Sequence, residues 1–134
     1  MKYMIMMFGD QASLVETRSR EWIVEMIAFM TKVNEDLTAA GELVAAEGLA
    51  DASQAKTVRI QNGIPVATDG PYAESKESLA GYWIIDVDSP ERALEIAGEA
   101  ATAPGASVIG ADGKPIDHLW IEVRQILGSH KDIA

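Results

Sequence analysis

Ala80-Gly81-Tyr82-Trp83-Ile84-Ile85-Asp86-Val87 is the stretch on which the fold turns. Eight residues are too few for a buried helix, and the β-branched and aromatic content favours a strand. A strand with one wet face alternates apolar and polar residues. Here Tyr82 and Ile84 oppose Trp83, Ile85 and Val87, so both faces are apolar. Residues 2–8 repeat the pattern: Tyr3, Ile5 and Met7 lie on one side, Met4, Met6 and Phe8 on the other. Two helices cover one face of an open sheet. The second face needs another cover, and the simplest is the same face of a second copy, since each buried large apolar side chain contributes roughly 1.5–3 kcal/mol.

Outward from that strand the chain alternates elements in a readable order. The run at 2–8 ends at Gly9-Asp10. Residues 13–40 then take helical spacing, with Trp22, Met26, Phe29, Met30, Val33 and Leu37 in one stripe and Ile23 and Ile27 widening it. Ser13-Leu14-Val15-Glu16 has the form of a capping box, Ser19 is a second cap, and Gly41 marks the stop. Residues 42–49 read as a strand. Lys56–Ile60 and Ile64–Thr68 alternate around Gln61-Asn62-Gly63, a hairpin signature, with Pro65 assigning its strand to an edge. Residues 69–79 read as a polar loop before the central strand. Ser89-Pro90-Glu91 opens a second helix, whose buried side is read as Leu94, Ala97 and Ala101 flanked by Ala93, Ile96 and Ala100, and which Pro104-Gly105 ends. Residues 106–110 and 116–127 are strand-like runs about Asp112-Gly113. With the 56–68 hairpin treated as an insertion, the order is βαββαβ, the ferredoxin-like pattern within the α+β class. One domain over 1–127 with a frayed tail at 128–134 is expected.

Composition narrows the function. The chain has 134 residues, 11 basic and 21 acidic, with a net charge of −10. Such a surface repels phosphate backbones and anionic lipid, so no nucleic-acid or membrane partner is expected. With no cysteine, thiolate catalysis, disulfides and iron–sulfur clusters are excluded. The Met-rich start lacks the cleavage pattern of a signal peptide, and a cytoplasmic protein is expected. His118 and His130 fit no metal spacing, and no phosphate loop or nucleophile elbow is present, so neither metal nor cofactor is expected.

The stretch Asp69-Gly70-Pro71-Tyr72-Ala73-Glu74-Ser75-Lys76-Glu77, followed by Leu79-Ala80-Gly81-Tyr82-Trp83-Ile84-Ile85-Asp86-Val87-Asp88, resembles the YCII-related proteins. More narrowly it resembles the branch named for an Asp-Gly-Pro-Phe motif, the DGPF-domain proteins, with Tyr72 in place of the Phe. Met1-Lys2-Tyr3-Met4, Gly41-Glu42-Leu43, Glu47-Gly48-Leu49, Arg92-Ala93-Leu94-Glu95 and Ile121-Glu122-Val123-Arg124 support the likeness, which runs to about residue 127. The resemblance implies a dimeric α+β barrel of uncharacterised activity. A His–Asp pair is suspected of catalysis in YCII-like members, but neither His118 nor His130 maps onto that histidine. Residues 109–120 look like an insertion.

Candidate chemistry centres on the loop at 68–77. Asp69-Gly70-Pro71 makes a rigid turn that presents Asp69, Tyr72, Glu74 and Lys76 together: acids as general base, Tyr as proton donor, Lys as holder of an anionic group. Turn chemistry alone also accounts for these residue types. Glu47 stands in an apolar strand beside Gly48, a placement suited to a base or, at a strand end, simply to water. Tyr82 and Trp83 are core residues first, and would line a pocket if the barrel holds one. Three functions stay open: a homodimer binding a small apolar or aromatic molecule, as a cofactor-free enzyme using Asp69, Tyr72 and Glu74; a non-catalytic ligand-binding or regulatory module acting with a protein partner; and a structural dimer without a pocket.

Overall fold

The computed structural model describes residues 1–9, 19–70, 78–103, 107–109, 115–117 and 120–129. The elements run β1 (Lys2–Phe8), α1 (Arg20–Ala39), β2 (Leu43–Gly48), a short 3-10 turn (Ala52–Gln54), β3 (Lys56–Gln61), β4 (Ile64–Asp69), β5 (Leu79–Asp86), α2 (Pro90–Ala100), β6 (Ser107–Ile109), β7 (Pro115–Asp117) and β8 (Trp120–Ile126). The fold is α+β. The main sheet is four-stranded, in the order β2-β5-β1-β8 with every neighbouring pair antiparallel. β3–β4 and β6–β7 are separate two-stranded ribbons.

Local chemistry explains the element ends. The Ser19 hydroxyl accepts from the Trp22 N–H at 3.1 Å and starts α1, and Gly41 at φ +72° lets the chain leave the helix. Ser89 accepts from the Arg92 N–H at 3.2 Å, with Pro90 in the first turn of α2. Asn62 and Gly63 both have positive φ, 52° and 78°, which a two-residue hairpin turn of matching twist requires. Pro65 lies on β4, which has no second neighbour among the described residues, so its missing N–H breaks no ladder there. The capping box at 13–16, the helix stop at Pro104-Gly105, the Asp112-Gly113 turn, His118, and residues 130–134 of the tail, including His130, lie outside the described residues.

Register places the core. Tyr3, Ile5 and Met7 pair with Ile85, Trp83 and Gly81 on one face of the sheet. That face packs against Val33 and Leu37 of α1 and Ala93, Ile96, Ala97 and Ala100 of α2. Ile5 and Ile85 are 0% exposed at its centre. The buried side of α2 is therefore centred on Ala93, Ile96, Ala97 and Ala100, a step away from the stripe read through Leu94 and Ala101. Leu94 is 61% exposed, and Ala101 caps the helix half-buried. The 93/96/97/100 set follows three–four spacing and lets small alanines bring α2 close to the sheet.

An ion pair braces this layer. Arg92 donates Nε to Glu42 Oε2 at 2.9 Å and Nη2 to Oε1 at 2.8 Å, while Nη1 reaches Glu95 at 3.2 Å. The Arg92 hydrogen bonds hold the Glu42 carboxyl below the ordinary carboxylate range, against a smaller opposing effect of burial. The two-pronged contact joins the start of β2 to α2 across the layer. Because the folded-state value lies below the unfolded one, the pair's stabilisation is complete above pH 4.5 and is lost as pH falls through the lower folded value. Glu42→Gln should therefore cost about 1 kcal/mol near neutrality, a figure kept small by the solvent exposure of Arg92. Urea melts at a series of pH values should show wild type and variant converging as the pH drops below 4.5. A gap that persists undiminished in acid would remove the pair as its cause.

Candidate functional site

The N-terminal half of α1 stands off the sheet. Val33 and Leu37 are buried, but Trp22, Ile23, Met26, Phe29 and Met30 are only half-buried, and Ile27 is 60% exposed. Between this half-helix and the adjoining ends of β1, β2 and β5 lies a cavity of about 430 Å³. Trp22, Met26 and Met30 wall it from the helix, Met7 and Phe8 from β1, and Trp83 and Ala46 from the sheet. The size is that of a small-molecule site, and the lining is almost wholly apolar. Three methionines give it soft, adaptable walls.

Two glycines shape its rim. Gly48 and Gly81 face each other across β2 and β5. A Cβ built on Gly81 would come 2.9 Å from the Glu47 carbonyl oxygen. Only glycine at Gly81 lets the two strands approach this closely where they border the cavity.

Polar groups are few. The Trp83 indole Nε1–H donates to Asn34 Oδ1 at 2.7 Å, joining β5 to α1 at the cavity wall. Glu47 and Tyr82 pair across β2 and β5, on the opposite face of the sheet from Trp83, and line the cavity at its rim. Glu47 is exposed and Tyr82 half-buried. Among the described residues no Lys, Arg or His lines the cavity, and no group of three or more His, Cys, Asp or Glu side chains could hold a metal ion.

Of the residues singled out from sequence, Glu47, Tyr82 and Trp83 border the cavity, with Trp83 on one face of the sheet and Glu47 and Tyr82 on the other. Asp69 is elsewhere: it ends β4, is exposed, and pairs with Lys56 directly across the ribbon. Tyr72, Glu74 and Lys76 lie outside the described residues. Asn34 was not anticipated. Its signal is visible afterwards, as the one amide set between Met30, Val33 and Leu37 of the apolar stripe. Trp22 and Met26 read as core by spacing and prove to be cavity wall, while Met30 both packs against the core and lines the cavity, because a helical stripe looks the same whether it packs or faces a void.

No helix among the described residues is long and apolar enough to cross a membrane. The sequence matches the model of the YCII-related domain over residues 1–108. That span contains every described residue lining the cavity. An uncharacterized protein of Rhizobium meliloti (strain 1021) is 30% identical over 103 residues, which cover 77% of this chain and 82% of that protein. The chain belongs to the YCII-related domain family.

Proposed function

We propose that this protein binds a small, neutral, apolar or aromatic molecule in the cleft between α1 and the sheet, and does so as a homodimer of ferredoxin-like subunits in a dimeric α+β barrel. The observation that carries the reading is the apolar cavity of about 430 Å³. An apolar cleft of this size leaves surface in contact with water that a bound apolar molecule would bury. The strand order β2-β5-β1-β8, with one helix between β1 and β2 and another between β5 and β8, supports the ferredoxin-like assignment. The Asp69–Glu77 motif supports the DGPF branch.

The open face of the sheet supports a second copy as its occupant. Met4, Met6, Ala45, Tyr82 and Ile84 share it, all half-buried in a lone subunit. Lys2 and Arg124 on the same face supply positive charge, and Asp86 and Glu122 negative charge. A two-fold partner presents the same patch reversed, so an apolar centre with both signs of charge around it is self-complementary.

We read this cleft as a binding site rather than one for acid–base turnover by Asp69; Tyr72 and Glu74 lie outside the described residues. Glu47 and Tyr82 are the only titratable groups among the described lining residues, and Asp69 is engaged with Lys56. This suits the ligand-binding or regulatory reading, in which occupancy of the cavity is reported to a protein partner.

A thermal-shift screen of neutral aromatics tests the binding. A ligand at 100 times its dissociation constant adds about 2.7 kcal/mol, which is several degrees for a domain of this size. Ala46→Phe, placing a ring where Ala46 now borders the cavity beside Trp83, should weaken any hit at least about tenfold while the fold persists. Hits indifferent to this filling would place the ligand elsewhere and end the proposal.

A further inference from the structure

The Asn34 amide is one of the few polar groups lining the cavity. An indole N–H is a donor only, so the atom facing Trp83 Nε1 at 2.7 Å has to be the amide oxygen. That bond sets the orientation of the side chain. The Nδ2 group, with two N–H donors, is thereby turned away from Trp83, and it makes no hydrogen bond among the described residues. Asn34 lines the cavity and is half-buried. No lining Lys, Arg or His among the described residues would neutralise an anionic ligand.

We infer that Asn34 determines ligand specificity, and that the cavity takes a neutral aromatic molecule bearing a carbonyl oxygen, which accepts a hydrogen bond from Asn34 Nδ2. The inference rests on the binding proposed above and adds the polar half of the ligand to it. The apolar walls hold the ring system. The oriented amide replaces the water that solvates the carbonyl outside, so the oxygen enters without losing a partner. A carboxylate or phenolate lacks a counter-charge inside and is excluded. Trp83 acts at one remove, as the positioning residue that keeps the amide from turning over.

The test uses two probes of nearly equal shape, 2-acetylnaphthalene and 2-isopropylnaphthalene, titrated into the whole ¹⁵N-labelled chain. The ratio of their affinities isolates the carbonyl from the rings. In the wild type, only the acetyl probe should shift the Asn34 side-chain amide resonances. In Asn34→Leu, the affinity ratio should fall about 2- to 10-fold in favour of the isopropyl probe, the range of one net neutral hydrogen bond. Trp83→Phe should lower the ratio as well, with Asn34 intact, because the amide is then free to flip. Should Asn34→Leu fail to fold because the Trp83 N–H loses its acceptor, the Asn34→Leu/Trp83→Phe double variant leaves no donor stranded and is read in its place. If both probes bind and the ratio is the same in every variant, the role of Asn34 is overturned while the cavity keeps its ligand. If neither probe binds the wild type at its solubility limit, the binding reading itself fails and takes this one with it.

Discussion

Trp83→Ala is expected to lower the stability of the domain by about 3–5 kcal/mol, against a total of the order of 5–15 kcal/mol. Trp83 is 5% exposed on the central strand β5, lies directly across from Ile5 of β1 and Ala46 of β2, and ties β5 to α1 through Asn34. Truncation removes the largest side chain of the core, strands the Asn34 carbonyl and merges the vacated space with the existing cavity. The sheet cannot collapse to fill it, since both neighbouring strands are pinned by their ladders to β5. Trp83→Phe keeps most of the ring area and loses one hydrogen bond, so about 1–2 kcal/mol is expected. Urea unfolding followed by far-ultraviolet circular dichroism measures both. A loss below about 1 kcal/mol for the alanine variant would mean that the ring is not part of the cooperative core, and the site built around it would have no rigid floor.

The second large effect concerns the other face of the same sheet. Met6 and Tyr82 face each other there, as do Met4 and Ile84, across β1 and β5. In Met6→Asp/Ile84→Asp, each dimer would bring four carboxylates into one desolvated patch. Removing two large apolar side chains per subunit forfeits roughly 1.5–3 kcal/mol each, before any cost of burying charge. Even 2.7 kcal/mol is a 100-fold change in association constant. Sedimentation velocity at micromolar concentration should give a dimer for the wild type and a monomer for the variant. Because these side chains are only half-buried within one subunit, the variant monomer should keep its helices. A wild type that sediments as a stable monomer at tens of micromolar removes the dimer proposal outright. A variant that stays dimeric moves the interface to a different surface.

The ribbon β3–β4 is a quieter feature. Val58, Ile60 and Ile64 are all exposed on it, and the Lys56–Asp69 pair closes its base. The motif read as a rigid acidic turn thus begins with a residue that is paired with Lys56 and does not line the cavity, and its residues from Pro71 to Glu77 lie outside the described residues.

Much of the architecture is set by the sequence alone. The continuous apolar runs at β1 and β5 identify central strands. Ser19, Ser89-Pro90, Gly41 and Asn62-Gly63 set element ends through local hydrogen bonding and backbone conformation, which need no distant partner. What only the tertiary structure decides is which apolar residues pack and which border a void. Trp22 and Met26 share their spacing with Val33 and Leu37, yet the first two wall a cavity and the last two are buried, with Met30 between them touching both cavity and core. The pairing of Asn34 with Trp83 spans 49 positions and depends on the register of β5 against α1. Periodicity records which face a side chain is on. The distance to whatever stands opposite that face comes from long-range packing.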